Sequence, residues 1–571
     1  MDLSILRHSC SHVMAHAVRD LWPDTLLGIG PSIEDGFYYD FEKQASFVPE
    51  DLARIEERMQ EIIKSDLPFR KEEIAKERAR ELCAGQRYKL ELIERIPEDT
   101  VTIYWTGDKF FDLCRGPHLA STGQLRAFKL LSLAGAYWHG IETNPMLTRI
   151  YGTAFETRQD LDHYLQLLEE AKKRDHRKLG KELELFDIYH DEAGSGLVFY
   201  HPKGAILKDI LESYEKREHQ KRGYELVSTP YVLKGDLWKT SGHADYYREN
   251  MYMFKVDDAE YAVKPMNCPG HILIYKSCLR SYKEMPVRFF ELGTVCRHEK
   301  SGVLHGLLRV RSFTQDDAHI FCLPSQVKTE IKGVLDFVFD VMKLFGFESF
   351  NIELSTRPEK SIGTDQDWQM ATDALRASLD EKGLEYDINE GDGAFYGPKI
   401  DIKLRDAIGR YWQCATIQCD FALPEKFDLT YVDTDGKNYR PVMLHRVIFG
   451  SLERFIGTLI EHYAGNFPLW LAPEQVVLVG LKQEVEPFVR KLEAQLKELG
   501  VRCVVDVSSE TLNKKIRSAE LRKIPYMLVI GPKEVEAESV SVRSKSKGDL
   551  GKMKIADFIA LVASEIAGKT L

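Results

Sequence analysis

The chain has 571 residues, of which 44% are hydrophobic and 29% charged, and its formal net charge is −11. This length exceeds what one hydrophobic core supports and predicts about three to five domains of roughly 100–200 residues. The negative charge argues against a general basic surface for nucleic acid, and the lack of an apolar run of about 18 residues argues against a membrane span. The N-terminal residues lack a secretory signal pattern, and the 10 dispersed cysteines predict reduced thiols in a cytoplasmic protein.

The first two predicted regions are a domain of mixed secondary structure and a linker. Residues 1–157 combine helix and strand signals, and the segment 51–83 has apolar residues at helical spacing, which predicts one charged amphipathic helix. Residues 158–185 are polar, charged and free of proline, with a narrow apolar stripe. That pattern predicts a linker helix between domains.

The rest of the chain divides into a large β-rich block and a smaller module. In residues 186–470, short β-rich runs alternate with turn signals and a few helices, which predicts a large antiparallel sheet with flanking helices. In residues 471–571, predicted strands at 475–481, 501–507 and 525–531 alternate with helical segments. The predicted fold class is therefore α+β, with an α/β module at the C-terminal end.

Three segments of the β-rich block carry an ordered set of signals. The first, KRGYELVSTPYVLKGDLWKTSGHADYY (221–247), combines a helix end, a strand and a proline. The second, RFFELGTVCRHEKSGVLHGLLRVRSFTQDDAHIF (288–321), predicts two strands around a loop, and the third, HRVIFGSLERFIGTLIE (445–461), places Gly450 and Arg454 at the start of a helix. In this order and spacing they resemble motifs 1, 2 and 3 of class II aminoacyl-tRNA synthetases.

Shorter strings narrow the resemblance to threonyl-tRNA synthetases of the bacterial type; they are MNCPGH (266–271), RSFTQDDAHIFC (311–322) and GAFYGPKID (393–401). The resemblance covers nearly the whole chain. It implies an α+β editing domain at 1–157, a class II catalytic domain with an antiparallel sheet at 186–470 and an α/β anticodon-binding domain at 471–571. Bacterial members commonly begin with a small ubiquitin-like domain, which this chain is expected to lack.

The function implied by the resemblance is that of a threonine–tRNA ligase. Such an enzyme activates L-threonine with ATP and Mg²⁺, transfers threonine from the adenylate to tRNA(Thr), hydrolyses mischarged seryl-tRNA(Thr), and is expected to be a homodimer without membrane attachment. The alternative is a regulatory RNA-binding paralogue without ligase activity. Such a paralogue would be expected to have lost phosphate-binding arginines or metal ligands, but this chain has all of them. A ligase for proline or serine does not account for Cys268, His319 and His445 together with the editing block.

Amino-acid activation builds negative charge on phosphate oxygens, so the reaction needs fixed cations at that place. By the resemblance, Arg297 holds the α-phosphate, Glu299 accepts the adenine amino group, and Phe313 lies under the adenine ring. Arg454 is expected over the ring and near the γ-phosphate. The other expected nucleotide contacts are Arg309 and Gln413, and the residues expected to act in catalysis are Arg297, Gln315, Lys399 and Arg454.

The resemblance also places Cys268, His319 and His445 at metal-ligand positions. One thiolate and two imidazoles leave a tetrahedral Zn²⁺ open to substrate, so one catalytic Zn²⁺ per subunit is expected. The amine and β-hydroxyl of threonine could both bind the ion, whereas valine lacks the hydroxyl and should be rejected. The rest of the threonine pocket is expected to contain Met266, Asp317, Tyr396 and Gln418. The neighbouring residues His271, His298 and His305 are interpreted as ordinary polar residues.

Serine keeps the hydroxyl and lacks only a methyl group, which is worth about 1–3 kcal/mol, so a second, hydrolytic site is expected. RHSCSHVMAH (7–16) places His8, His12 and His16 on one helix face, and DLCRGPH (112–118) adds a second cluster. The resemblance assigns the editing site to His12, His16, Lys89, Asp112, Cys114 and His118. A closed zinc site is the alternative; a site without obligatory metal is favoured because histidines can position water and a substrate hydroxyl.

The expected tRNA contacts are His243 near the ribose of the acceptor end, and Glu534 and Arg543 at the anticodon. Carboxylate and guanidinium groups can pair with the base edges that single-stranded loops expose. The chain departs from the family at 508–513, where Ser509 replaces an asparagine expected to contact an anticodon base. Anticodon recognition is therefore expected to be weaker or altered.

Overall fold

The computed structural model describes residues 2–571 and contains two compact units, one ending at Glu169 and one over Glu170–Leu571. The first unit has four helices, α1 (Leu3–Leu21), α2 (Pro49–Lys64), α3 (Lys76–Leu82) and α4 (Arg87–Arg95). Its strands are β1 (Leu26–Leu27), β2 (Ser32–Ile33), β3 (Gly36–Glu42), β4 (Phe69–Ala75), β5 (Thr100–Thr106), β6 (Phe110–Leu113), β7 (Ala127–Tyr137) and β8 (Met146–Phe155).

These strands form two antiparallel sheets. One has the order β1-β3-β8-β7 with β2 paired to β3, and the other has the order β4-β5-β6. Helices α1 and α2 bury their apolar residues in the same core as Phe37, Tyr39 and Phe41 of β3. Most of α1 is buried, and His12 and His16 lie in the interior of this unit, whereas His8 is half-buried.

The prediction of one helix over 51–83 is wrong. Helix α2 ends at Lys64, and the chain then forms strand β4 before the short helix α3. Two local features explain the break: Asp66 has a positive φ of 46°, and Pro68 cannot continue a helix and biases the residue before it towards extended backbone. Apolar spacing alone did not reveal this interruption.

The predicted linker helix over 158–185 is instead two helices, α5 (Arg158–Arg174) and α6 (His176–Glu182). Asp175 separates them and has non-helical backbone angles. Its side chain accepts a hydrogen bond from the backbone N–H of Arg177, which is the usual role of aspartate at a helix N-cap.

The β-rich block of the second unit contains helices α7 (Pro202–Lys221), α8 (Gly235–Ser241), α9 (His243–Tyr246), α10 (Cys268–Lys276), α11 (Val327–Leu344), α12 (Asp365–Glu381), α13 (Ala422–Lys426) and α14 (Leu452–His462). Its small hairpins and ribbons are β9 (Phe186–Asp187), β10 (Phe199–Tyr200), β12 (Val232–Lys234), β13 (Met253–Val256), β14 (Ala259–Val263), β21 (Tyr431–Val432) and β22 (Asn438–Tyr439). The main sheet is formed by β11 (Glu225–Leu226), β15 (Val287–Cys296), β16 (Ser312–Cys322), β17 (Phe350–Ser355), β18 (Asp387–Asn389), β19 (Lys399–Arg405), β20 (Tyr411–Asp420) and β23 (Val442–Val447).

The main sheet has eight strands in the order β11-β15-β16-β23-β20-β19-β17-β18. Its pairs are antiparallel except for β11 with β15 and β17 with β18 at the two edges. Helices α7, α11, α12 and α14 share the large apolar core with this sheet. The predicted antiparallel sheet with flanking helices is confirmed.

The C-terminal module contains helices α15 (Glu486–Glu498), α16 (Leu512–Leu521), α17 (Pro532–Glu536) and α18 (Ile555–Ala567) and strands β24 (Val476–Gly480), β25 (Cys503–Asp506), β26 (Tyr526–Ile530), β27 (Ser539–Ser544) and β28 (Gly548–Lys554). The sheet order is β25-β24-β26-β27-β28, in which the first three strands are parallel and the last two add antiparallel pairs. The alternation of strands and helices is confirmed. Among residues 2–571, we find no helix that is both long and apolar enough to cross a bilayer.

Candidate active sites

A cavity of about 640 Å³ lies on one face of the main sheet. Most of the residues predicted for nucleotide, threonine and metal binding line it: Met266, Cys268, Arg297, Glu299, Arg309, Phe313, Gln315, Asp317, His319, Tyr396, Gln413, Gln418, His445 and Arg454. Lys399 lies outside this group. Its amino group is held between Asp392 (3.0 Å) and Asp401 (2.8 Å), and Asp401 in turn accepts a hydrogen bond from Gln413. Lys399 is thus placed to support Gln413 through Asp401, and its part in catalysis stays a prediction.

Strand geometry explains why residues far apart in sequence meet in this cavity. Phe313, Gln315, Asp317 and His319 alternate along β16 and so project from the same face of the sheet. His319 pairs with His445 across β16 and β23. The two imidazoles are thus brought together by strand register, with a separation of 3.0 Å between Nε2 of His319 and Nδ1 of His445.

Cys268, at the start of α10, completes a buried cluster with these histidines, and one ligand atom from each residue lies within 4.8 Å of the others. Burial raises the pKa of the Cys268 thiol. It lowers the pKa of His319, which favours the neutral imidazole that a metal ligand needs. One sulfur and two nitrogens form a ligand set suited to Zn²⁺ with a position left open.

The hydrogen bonds behind the cluster show that it fits a metal ion. The outer nitrogen of His445, Nε2, is 2.7 Å from a carboxylate oxygen of Asp420, and the outer nitrogen of His319, Nδ1, is 2.8 Å from Nδ1 of His271. His271 in turn contacts Glu291. If each outer nitrogen donates its proton to the partner behind it, both inner nitrogens present lone pairs to the same point, which is the arrangement that metal-ligating histidines need.

His271 is not part of the Cys268, His319 and His445 group, as expected, but it has a more specific place than an ordinary polar residue. It is fully buried and lies directly behind His319. A signal was present in the sequence, since His271 follows Cys268 by three residues and shares its helix face. Asp420, which supports His445, had no comparable sequence signal because the two residues are joined only through the β20–β23 pair.

One wall of the cavity has three guanidinium groups and one carboxylate. Arg297 donates to the backbone carbonyl of Pro265 and lies 5.1 Å from the ring of Phe313, while Arg309 pairs with Glu299 at 3.1 Å. Arg454 is held by backbone carbonyls of Leu308 and Gln413, and its burial lowers the pKa of its guanidinium. This excess of cations suits a polyanionic ligand.

The opposite end of the cavity is buried and is lined by a carboxylate, a phenol and an amide. Asp317 receives a hydrogen bond from Asn267, and burial raises the pKa of its carboxyl. Tyr396 donates to Gln418 at 2.6 Å. His243, predicted near the tRNA ribose, is fully buried and lies 2.9 Å from the sulfur of Met266; burial lowers its pKa to about 3.

The first unit contains a second cluster, made by His8, His12, Cys114 and His118. Cys114 Sγ is 3.4 Å from Nε2 of His8 and 3.3 Å from Nε2 of His118, and the rings of His12 and His118 are 4.1 Å apart. Burial lowers the pKa of all three histidines and raises that of the Cys114 thiol to about 11, so neutral groups predominate here.

The prediction that His16 belongs to this cluster is not met, and His8 takes that place. His16 lies one helical turn further along α1, where it stacks on Phe110 and approaches Asp20 at 3.7 Å. It lines a cavity of about 450 Å³ together with Lys89 and Asp112. Lys89 and Asp112 form a buried ion pair, and Asp112 lies 3.8 Å from His12, so this pair joins the cluster through His12.

Comparison with known families gives three matches along the chain. Residues 101–151 match the threonyl and alanyl tRNA synthetase second additional domain, 252–463 match the tRNA synthetase class II core domain (G, H, P, S and T), and 475–565 match an anticodon binding domain. The chain is 57% identical to the threonine–tRNA ligase of Pelobacter propionicus, over 99% of this chain and 88% of that one. The chain belongs to the threonyl-tRNA synthetase family.

Two further relatives agree with this assignment. The threonine–tRNA ligase of Syntrophotalea carbinolica is 58% identical over 99% of this chain and 88% of that one. A solved structure of the RNA binding domain of the threonyl-tRNA synthetase of Cryptosporidium parvum is 41% identical with a TM-score of 0.66, and the match covers 68% of this chain and 98% of that one. The family resemblance inferred from the three ordered motifs is thus confirmed.

In the C-terminal module of this threonyl-tRNA synthetase family member, the side chains of the two predicted anticodon residues differ in their hydrogen bonding and exposure. The carboxylate of Glu534 accepts hydrogen bonds from the backbone N–H of Gly531 and the hydroxyl of Ser541. Arg543 lies on β27 with an exposed side chain. At the departure from the family pattern, the hydroxyl of Ser508 donates to Asp506 at 2.6 Å, within a local turn.

Proposed function

We propose that this chain is a threonine–tRNA ligase that also hydrolyses seryl-tRNA(Thr). The observation that carries the proposal is the main cavity, which joins three guanidinium groups at one end to the Cys268, His319 and His445 cluster at the other. A polyanion and a small chelating amino acid would bind side by side in such a cavity. The regulatory paralogue is not favoured, because its predicted loss of these groups has not occurred and the curated relatives are named as ligases.

In the proposed activation step, the carboxylate of threonine attacks the α-phosphorus of ATP, and the bond to the bridging oxygen of pyrophosphate breaks. Arg297 would hold the α-phosphate, and Arg309 and Arg454 would hold the outer phosphates of ATP, which binds with Mg²⁺. Because these cations are fixed by backbone carbonyls and a carboxylate before the reaction, they need little reorganisation as charge develops. Glu299 and Phe313 would bind the adenine, with Gln315 and Gln413 at the junction with threonine.

Threonine selection is proposed for the other end of the cavity. A Zn²⁺ held by Cys268, His319 and His445 would supply a Lewis-acidic point for the amine and β-hydroxyl of threonine. Asp317 would accept a hydrogen bond from one of these groups, and Met266, Tyr396 and Gln418 would shape the pocket. The bound adenylate would then react with the terminal ribose hydroxyl of tRNA(Thr), and AMP would leave; His243 would act near that ribose.

In the first unit, we propose that His8, His12, Cys114 and His118 surround the ester of seryl-tRNA(Thr), with Lys89 and Asp112 as support. Water would attack the ester carbonyl, and the ribose oxygen would leave with the proton. Neutral histidines can hold that water and accept its proton. A metal is not required for this step.

We also propose a cytoplasmic homodimer that reads the anticodon through Glu534 and Arg543. Exposed apolar residues in the first motif support an association through this region, because Leu226, Tyr231 and Val232 are 45%, 62% and 44% exposed. Light scattering coupled to size-exclusion chromatography would measure the mass. A monomer at micromolar concentration would argue against this part of the proposal.

The test of the main proposal is ATP–pyrophosphate exchange with each of the twenty amino acids, with the zinc content of the same preparation measured. Threonine should give the fastest exchange, serine a slower one, and valine a rate near background because it lacks the hydroxyl. Strongest exchange with proline or any other amino acid would contradict the assignment. Binding of tRNA(Thr) without any exchange would favour the regulatory paralogue.

A further inference from the structure

Ser9 lies on α1 next to His8, is fully buried, and makes three hydrogen bonds through its hydroxyl. The hydroxyl donates to the backbone carbonyl of Ile5 at 2.8 Å. It accepts from the backbone N–H of Leu119 at 2.9 Å. The third contact, at 3.1 Å, is with Nδ1 of His118.

The chemistry of these partners fixes the direction of the third bond. A serine hydroxyl has one proton and two lone pairs. A carbonyl oxygen can only accept, so the Ser9 hydroxyl uses its one proton to donate a hydrogen bond to Ile5. A backbone N–H can only donate, so the bond from Leu119 occupies one lone pair of the hydroxyl oxygen. One lone pair remains for His118, and therefore Nδ1 of His118 carries a proton that it donates to Ser9.

A neutral imidazole has only one ring proton, so the other nitrogen of His118 is left as an acceptor. Burial lowers the pKa of His118, and the nearby His12 and His8 lower it further, which keeps the ring neutral. Nε2 lies 3.3 Å from Cys114 Sγ, and the ring lies 4.1 Å from that of His12 and 4.4 Å from that of His8. The lone pair is thus directed into the cluster.

We propose that Ser9 is a positioning residue of the hydrolytic site, which holds His118 in the tautomer whose Nε2 lone pair faces the cluster. This inference rests on the proposed editing function. In the hydrolysis, water oxygen bonds to the ester carbonyl carbon while Nε2 of His118 takes the water proton. The carbon–oxygen bond to the ribose then breaks, the proton passes to the ribose oxygen, and free serine and tRNA are released.

The test is single-turnover hydrolysis of pre-made seryl-tRNA(Thr) by the full chain, with Ser9→Ala compared with Ser11→Ala. Ser11 is a matched control, because it is equally buried on the same helix and its hydroxyl contacts only the carbonyls of His8 and Gly30. Ser9→Ala should slow the hydrolytic rate constant about tenfold, a smaller loss than the roughly 10²–10⁴-fold that removal of a complete general base would cause. The enzyme concentration at half-saturation should stay unchanged, as should threonine activation.

A double-mutant cycle distinguishes an effect of Ser9 through His118 from an effect on packing alone. If Ser9 acts through His118, adding Ser9→Ala to His118→Asn should change the rate little further, whereas a packing effect should persist in that background. If Ser9→Ala unfolds the unit, Ser9→Cys keeps the volume while weakening the acceptor and should give the same loss. Equal rates for Ser9→Ala and Ser11→Ala would overturn the inference; a parent chain that does not hydrolyse seryl-tRNA would instead overturn the proposed editing function.

Discussion

The buried carboxylate of Glu453 accepts a hydrogen bond from the backbone N–H of Thr314, with 2.8 Å between the two atoms. Glu453 precedes Arg454 at the start of α14, and Thr314 lies on β16. In a second bond the strand supplies the acceptor, because the carboxylate of Asp316 on β16 accepts a hydrogen bond from the backbone N–H of Phe449 at 2.9 Å. Ile448 also donates its backbone N–H to Asp316. Carboxylate-to-backbone bonds therefore join β16 both to the start of α14 and to the segment just before that helix.

Glu453→Ala should weaken both stability and nucleotide binding. It leaves the N–H of Thr314 buried without its acceptor, which costs about 1–3 kcal/mol. We expect a lower melting temperature and a KM for ATP that rises more than the KM for threonine. Glu453→Gln keeps an acceptor oxygen and should retain most of both properties. Equal losses in the two variants would show that the negative charge, and not the hydrogen bond, is what matters.

Arg297→Ala should cut threonine activation by about 10²-fold or more, because it removes one preorganised cation from the place where phosphate charge develops. ATP–pyrophosphate exchange measures the effect. Arg297→Lys keeps the charge without the planar fork and should recover only part of the rate. Arg490→Ala, at an exposed position on α15, is a suitable control. An unchanged rate in Arg297→Ala would remove this residue from the proposed phosphate contacts.

The metal prediction is about one Zn²⁺ per chain, bound through three protein ligands. Cys268→Ala should release the ion and abolish threonine activation, whereas Cys322→Ala, which changes a buried cysteine outside the cluster, should keep both. Asp420→Asn should lower zinc affinity by about 10–100-fold, because it removes the carboxylate behind His445. Titration with a chelating dye measures this affinity. Full zinc content and full activity in Cys268→Ala would refute the ligand assignment.

The family resemblance located the residues of the main cavity more closely than those of the N-terminal cluster, and the geometry of strands and helices gives the reason. Alternation along a strand has a period of two, so Gln315, Asp317 and His319 had to share one face once β16 was recognised. On a helix, His8 and His16 are each four residues from His12, and all three share one face. Helical spacing therefore cannot decide which pair meets Cys114; tertiary packing around α1 decides it.

His8→Ala tests that tertiary assignment. It should let seryl-tRNA(Thr) accumulate in a serine-charging assay, because His8 lies 3.4 Å from Cys114 within the proposed hydrolytic cluster. Threonine activation should stay near the parent rate, since its cavity is built from other residues. His16→Ala should cause a smaller loss of clearance. If His16→Ala is instead the more damaging variant, the hydrolytic centre lies in the cavity shared with Lys89 and Asp112.

The carboxylate of Glu291 is a buried centre of hydrogen bonds behind the cluster of Cys268, His319 and His445. It accepts from the N–H and hydroxyl of Thr229, both at 2.8 Å, and contacts His271 at 3.3 Å and the amino group of Lys264 at 3.2 Å. Burial alone would raise its pKa, but the hydrogen bonds from His271 and Thr229 and the charge of Lys264 outweigh it and lower the pKa to about 2.

A folded-state pKa below the ordinary value near 4.3 means that the unfolded chain binds more protons at intermediate pH. The stabilisation is therefore complete above about pH 4.5 and is lost as the pH falls towards 2, with a total of about 3 kcal/mol. Glu291→Gln should lower the melting temperature of metal-free protein by a constant amount between pH 6 and 8, because the shifted group does not titrate there. The gap should narrow only below about pH 4.5, whereas the exposed control Glu348→Gln should show no gap at any pH. A gap that changes between pH 6 and 8 would mean that another group, not Glu291, controls the charge of this network.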